Sequence, residues 1–308
     1  MKNKYLITIV GPTAIGKTAL SIPIASHFKT EILSADSRQF FKEMKIGTAV
    51  PSLDELSAVK HHFIQNKSIF EDYSVGHFEK DALELLNELY RKFDIVVLVG
   101  GSGLYVDALL KGLDDFPKVD KSTRIQLKAD LEQFGLAYLQ TKLKNLDETT
   151  YQTIEIQNTH RVIRALEICI GTGKPYSYYL SQSNKVRDFI PIKVGLMADR
   201  KIIYDRINLR VDIMMQCGLL NEVKNLSNFQ DLNALQTVGY KELFQYLNDD
   251  ITLDFAISEI KKNTRRFAKR QLTWFRKDEE ITWFDWKTDT NDIINHIAKS
   301  INSYENNY

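Results

Sequence analysis

The apolar positions of this chain follow two different rhythms, and one gives way to the other near residue 112. Residues 5–10 (Tyr-Leu-Ile-Thr-Ile-Val) are almost continuously apolar and rich in β-branched side chains. A run that short and that apolar predicts a strand covered on both faces. Residues 95–99 (Ile-Val-Val-Leu-Val) form the longest purely aliphatic run and predict the cleanest buried strand. Shorter runs at 31–34 and 62–65 predict two more strands, and residues 190–197 a last core strand. Between them, residues 17–28 and 81–92 predict helices, the second with Leu85, Leu86 and Leu89 on one face. Pro23 falls inside the first helix, where its missing N–H should kink or loosen it. Strand alternating with helix predicts an α/β fold: a parallel sheet of the phosphate-loop type, flanked by helices.

From Gly112 to about Arg187 the strand signals vanish. Leu127, Leu131 and Phe134 recur at helical spacing, and Val162, Leu166 and Cys169 do so again. Residues 113–187 therefore read as an all-helical insertion domain. It is carried on a core made of residues 1–112 and 188–302, whose second part is mostly helical through Lys277. The last residues, 303–308, should fray.

Composition narrows the function classes. Forty-one Lys+Arg against forty Asp+Glu leave a net charge of +1, so global charge does not announce a nucleic-acid binder. No stretch approaches the roughly 20 apolar residues of a membrane helix. With only two cysteines, Cys169 and Cys217, neither a disulfide framework nor a cysteine-rich zinc site is expected. Cys169 reads as core, and Cys217 has no evident partner. Lys2 and Lys4 before the first apolar run resemble a signal peptide, but the run is short and lacks a small-residue cleavage site. The expectation is a cytoplasmic protein and, with no coiled-coil seam, a monomer.

The first chemistry-bearing motif is Gly11-Pro12-Thr13-Ala14-Ile15-Gly16-Lys17-Thr18, which matches G-x-x-x-x-G-K-[ST] between a predicted strand and a predicted helix. Glycines let backbone N–H groups turn inward around phosphate oxygens, and the helix N-terminus adds positive potential. Lys17 reaches terminal phosphates, and the Thr18 hydroxyl is placed to ligate Mg²⁺. A second match, Gly171-Thr172-Gly173-Lys174, precedes Pro175 and follows a helix, so it reads as a helix stop.

Most such loops serve nucleotide hydrolysis or transfer, and those enzymes hold Mg²⁺ with an acid at the end of another buried strand. Here that strand ends in Gly100-Gly101-Ser102-Gly103, and Asp94 stands at its start. Ordinary ATP hydrolysis is therefore disfavoured. The glycines predict a second tight turn at the ligand-binding sheet edge. There Ser102 either offers its hydroxyl to a substrate or merely begins a helix. The segment Ser34-Ala35-Asp36-Ser37-Arg38-Gln39 should reach the same edge. Asp36 is suited to a general base, and equally to a helix cap or a metal contact. His61 and His62 read as structural histidines.

Seven segments in order resemble the tRNA dimethylallyltransferase (tRNA isopentenyltransferase) family. They are GPTAIGKT at 11–18, ADSRQ at 35–39, IGTAVP at 46–51, LVGGSGLY at 98–105, HRVIRALEI at 160–168, QTVGYKE at 236–242 and KRQLTWFRK at 269–277. The loop alone is common to many families, whereas the ordered set is specific. The resemblance implies transfer of a dimethylallyl group from dimethylallyl diphosphate to the exocyclic N6 amine of the adenosine 3′-adjacent to a tRNA anticodon, with Mg²⁺ as cofactor. It implies that the loop cradles a diphosphate leaving group, with Thr13, Lys17 and Thr18 contacting diphosphate and Mg²⁺. Asp36 becomes the base, Ser102 a hydroxyl where relatives commonly carry Thr, and Asp36, Ser37, Arg38 and Gln39 the wall that meets the extruded adenine.

By the same resemblance the anticodon stem-loop is bound by Arg124, His160, Arg161, Val162, Ile163 and Arg164 of the insertion, and by Gln236, Gly239 and Lys241. Residues 261–277 hold eight Lys and Arg and no acid, with Phe267, Trp274 and Phe275 interleaved. On a helix Lys262, Arg266 and Lys269 share a face suited to tracking phosphates, while the aromatics read as core.

Overall fold

The computed structural model describes residues 3–180 and 185–306. Six parallel strands form one sheet, in the order β3-β2-β4-β1-β5-β6. In chain order they are β1 (Tyr5–Val10), β2 (Ile32–Ser34), β3 (His61–His62), β4 (Ile95–Val99), β5 (Ile190–Met197) and β6 (Thr282–Asp285). All six residues of β1 are buried. Alternation sends Tyr5, Ile7 and Ile9 to one face and Leu6 and Val10 to the other. The first face is covered by α1 (Lys17–His27), with Ile24 and Ala25 inward, and by α12 (Thr290–Asn306), with Ile293, Ile297 and Ile301. The second is covered by α3 (Val75–Leu89) and α4 (Gly103–Lys111), through Phe78, Leu86, Val106 and Leu109. The expected α/β sheet with helices on both faces is the architecture found.

Several element boundaries depart from expectation. The strand at 62–65 shrinks to β3, because Phe63 and Gln65 adopt left-handed backbone (φ 61° and 47°) that no strand accommodates. Helix α3 starts at Val75, six residues early, because Ser74 caps it in a reciprocal box with His77 where Glu or Gln is usual. Residues 190–197 are not the last strand. β6 pairs with β5 at the edge, with Trp283 against Gly195. Its four residues follow the acidic Asp278, Glu279 and Glu280 and carry no apolar run long enough to stand out. The C-terminal end does not fray at residue 303: α12 continues to Asn306, held by buried Ile301, while residues 307–308 lie outside those described. Pro23 sits within α1, which runs on through it.

Residues 112–186 form one compact unit and the remaining chain another. The first contains α5 (Lys121–Leu146), α6 (Glu148–Thr153) and α7 (Thr159–Thr172) around Leu127, Leu139, Leu143, Val162, Leu166 and Cys169. Phe134 is not part of that core. Gly135 turns out of the helix (φ 76°, ψ 175°), and Phe134 is left 52% exposed beside Tyr138. Gly173 ends α7 in left-handed conformation, as expected of a helix stop.

In the other unit, β5 leads to α8 (Arg200–Gln216), α9 (Leu219–Asn225), α10 (Tyr240–Leu247) and the long α11 (Leu253–Phe275). The two adjacent histidines are structural: His62 Nε2 lies 2.6 Å from Glu31, and His61 Nδ1 lies 2.8 Å from the Val59 carbonyl. Among the described residues no helix is long and apolar enough to cross a membrane.

Candidate active site

Three chain segments leave the carboxyl edges of neighbouring strands and meet. From β1 comes the loop from Gly11 to Gly16. Gly11 has φ 148°, and a Cβ there would lie 2.7 Å from the Leu196 carbonyl oxygen, so only glycine fits. Its Pro12 and Ile15 are buried, and Ala14 is itself left-handed (φ 64°). Gly16 precedes the first turn of α1, which begins with Lys17 and Thr18. The Lys17 ammonium folds back onto the Pro12 carbonyl at 2.8 Å. Burial pulls its pKa down to about 8, Asp36 opposes the shift and Arg210 adds to it.

From β4 comes the turn at Gly100 to Gly103, which starts α4. From β2 comes the turn after Ser34. The two are joined by hydroxyls: Ser102 Oγ accepts the Ser37 N–H (3.1 Å) and lies 3.2 Å from Ser37 Oγ. Asp36 does not cap a helix, since a turn follows it. Its Oδ1 accepts the Arg38 N–H at 3.1 Å, an Asx turn that fixes the carboxylate. Gln39 is spent internally: it accepts from Ser34 Oγ and donates to the Thr48 and Ala49 carbonyls. Arg38 donates to the Asn233 and Ala234 carbonyls. Asp94 stands at the opposite edge, 2.9 Å from Lys4.

Three further residues complete this edge, and none was singled out from sequence. Arg206 of α8 donates to the Ala14 carbonyl at 2.7 Å and stacks its guanidinium over Trp286. Arg210, one turn on, lies 3.5 Å from Thr13 Oγ1. Burial and then Arg206 lower its pKa, against Asp36 and Glu55. Gln271 of α11 reaches the Thr13 N–H and the Gly101 carbonyl, each at 2.8 Å. The available signal was spacing: Arg206 and Arg210 stand at i, i+4, and Gln271 is an uncharged polar residue within a cationic run. Lys17, Arg206 and Arg210 thus surround the glycine loop with Asp36 beside them, an arrangement that holds a polyanion next to a proton acceptor.

The candidate nucleic-acid residues fall on both units. In the insertion, His160 and Arg161 are exposed at the start of α7. Arg164 and Arg124 share the buried carboxylate of Glu167, at 3.1 and 3.6 Å, and Arg164 also lies over the Phe116 ring. Val162 and Ile163 do not face outward; they are 0% and 5% exposed in the helical core, because they occupy the inner side of α7.

In the other unit Gln236 and Lys241 are exposed, and the Gly239 N–H is held by Glu242 at 2.8 Å. The cationic run forms the C-terminal part of α11 and the two residues after it, but it is not free of acids in space. Lys261 pairs with Asp212 at 2.6 Å and Lys262 with Glu259. Arg266, Lys269, Arg270, Arg276 and Lys277 remain exposed. Of the aromatics only Phe275 is core; Phe267 is 38% and Trp274 36% exposed, the latter donating to Asp107 at 2.7 Å.

The model of the IPP transferase family matches residues 39–278. The chain is 60% identical over 306 residues to a tRNA dimethylallyltransferase of Flavobacterium johnsoniae, covering 97% of this chain and 99% of the relative. It is 60% identical over 301 residues to that of Christiangramia forsetii, covering 98% and 100%. Among solved structures, the tRNA isopentenylpyrophosphate transferase of Bacillus halodurans superposes with TM-score 0.73 at 38% identity, covering 99% of each chain. A eukaryotic dimethylallyltransferase acting on tRNA gives 0.80 at 27% identity, covering 99% of this chain and 80% of that one. With the family model spanning most of its length and full-length relatives at this identity, the chain belongs to the IPP transferase family.

Proposed function

We propose that the chain transfers a dimethylallyl group from dimethylallyl diphosphate to the N6 amine of the adenosine 3′-adjacent to a tRNA anticodon, releasing diphosphate. One observation carries the reading. The cations around the Gly11–Gly16 loop and the carboxylate of Asp36 share one sheet edge: Asp36 is close enough to Lys17 to oppose its loss of charge, and its turn is joined to the Ser102 turn through Ser37. A polyanionic leaving group and a proton acceptor are what this displacement needs side by side.

The chemistry follows from those groups. Loop N–H groups, Lys17, Arg206 and Arg210 take the diphosphate and the charge that grows on it as the C1–O bond opens. Phosphate oxygens beside Lys17 favour the ammonium form that burial disfavours in the free protein. The N6 nitrogen bonds to C1, and its proton passes to the Asp36 carboxylate. An allylic carbon spreads positive charge by delocalisation, so the protein's work is to hold, align and exclude water. The amine is inaccessible in a stacked loop, so the adenine is flipped out toward the 36–39 turn.

Among the described residues no group of three His, Cys, Asp or Glu is disposed to hold a metal ion. The Thr18 hydroxyl, in the first turn of α1 beside the glycine loop, would hold a Mg²⁺, which would supply charge neutralisation to the leaving group. Arg266, Lys269 and Arg270, with Arg124, His160, Arg161 and Arg164 of the insertion, are the phosphate contacts on this reading, in the cytoplasm where tRNA is modified.

The test is single-turnover transfer from labelled dimethylallyl diphosphate with Mg²⁺. Three acceptors are compared: a tRNA with adenosine 3′ of the anticodon, the same tRNA with that base changed, and AMP. Label on the first alone is the expected result. Label on AMP alone overturns the tRNA assignment, and ATP turnover with no label overturns the transfer itself.

A further inference from the structure

We propose that Gln271 is a positioning residue that sets the spacing between the diphosphate cradle and the adenine side of the site; the inference rests on the reaction proposed above. Gln271 lies in a stretch of α11 where its neighbours Lys269, Arg270 and Thr273 all face solvent. Gln271 itself is only 6% exposed, with its side chain turned to the loop ends at the carboxyl edge of the sheet. There the amide makes two bonds of opposite sense. Oε1 accepts the Thr13 N–H of the glycine loop, and Nε2 donates to the Gly101 carbonyl of the Ser102 turn, both at 2.8 Å. Two strand ends are thereby clipped by one planar group delivered from a third element.

The fit leaves no slack. A Cβ on Gly101 would stand 2.4 Å from Gln271 Nε2 and 3.5 Å from Lys17 Nζ, so the amide and the lysine occupy the space a side chain would need. The requirement is chemically narrow. A carboxylate at 271 accepts from Thr13 but opposes the Gly101 carbonyl and adds negative charge next to the diphosphate. A thioether fills the volume and makes neither bond. Thr13 holds the leaving-group side and Gly101 precedes Ser102, which fixes the Asp36 turn through Ser37. The clip therefore governs the distance from the electrophilic carbon to the amine, and misplacement by about 1 Å costs on the order of a hundredfold in rate.

The test compares full-length wild type, Gln271→Met and Gln271→Glu. The readings are single-turnover rate, KM for tRNA, thermal midpoint and amide exchange in peptides covering residues 10–16 and 98–104. Expected for Gln271→Met is a rate loss of about a hundredfold, tRNA KM within about twofold, a folded protein and faster exchange in both peptides. Gln271→Glu should lose rate with loosening concentrated in 98–104, because its oxygen still accepts from Thr13. A Gln271→Met protein with the wild-type rate overturns the proposal, as does a loss that matches the unfolded fraction alone. If Gln271→Met does not fold, Gln271→Glu decides by the same two readings. A wild type that transfers nothing fails the reaction instead, and the exchange readings still decide whether the clip exists.

Discussion

At the scale of single residues, Asp36 is the group on which the proposed reaction turns. Its carboxylate is oriented by the Arg38 N–H and stands close enough to Lys17 to oppose that residue's loss of charge. Asp36→Asn keeps the shape and the Asx turn but removes the proton acceptor. General bases contribute about 10²- to 10⁴-fold. The single-turnover rate should fall by that order with tRNA KM little changed, and a rate within threefold of wild type would remove Asp36 from the role. The placement of Asp36, Lys17 and Thr18 at one sheet edge was legible in the sequence, because each sits in the short segment that leaves a strand, in a motif whose geometry is local. Arg206, Arg210 and Gln271 were not. They reach the loop from far along the chain, in charged runs whose one-dimensional pattern looks like solvated surface. Val162 and Ile163 err the other way: a motif read as a contact surface includes the residues that hold its helix in place.

At the scale of elements, strands with unbroken apolar runs declared themselves, and β1, β4 and β5 match their predicted bounds. β3 and β6 failed for physical reasons: left-handed backbone cuts the first short, and the second is a four-residue edge strand beside acids. Helix α1 presents a testable oddity. Pro23 removes the hydrogen bond to the Ala19 carbonyl and crowds it, at a cost of roughly 3 kcal/mol in a helix interior. Proline also stiffens the unfolded chain, which returns about 0.4–1 kcal/mol. The first term is larger, so Pro23→Ala should stabilise by about 2 kcal/mol in chemical denaturation. No gain would mean that α1 is already distorted to suit the ring.

The insertion offers a second element-scale prediction. Asp147 caps α6 and accepts from Thr150 N and Oγ1 and from Ser177 N and Oγ, at 2.6–3.0 Å. Burial pushes its pKa up, but the bonds from Thr150 and Ser177 together outweigh burial and hold the carboxyl below its ordinary range. A carboxyl lowered by folding contributes stability above its unfolded value near 4 and loses it as pH falls through the folded value. Acid should therefore open the insertion below about pH 4. Asp147→Asn should cost about 2 kcal/mol at neutral pH and flatten that acid limb. Exchange protection of residues 143–180 against pH reads both.

At the scale of the whole molecule, charge is nearly balanced at +1, yet the proposed partner is a polyanion. Attraction must then come from distribution, not total. Sequence pattern marked residues 261–277 as the cationic face, but the fold spends part of it: Asp212 neutralises Lys261 and Glu259 neutralises Lys262, which leaves Arg266, Lys269 and Arg270 as the unspent middle of the run. Each phosphate contact releases condensed counterions and contributes about 0.7–0.9 to the slope of log affinity against log salt. Replacing Arg266 and Lys269 together with Gln should therefore weaken tRNA binding and reduce that slope by about 1.4–1.8. Lys261→Gln and Lys262→Gln, already paired within the protein, should change it far less. Equal changes from both pairs would mean that the internal ion pairs open on binding and that the whole run, as its sequence first suggests, tracks phosphate.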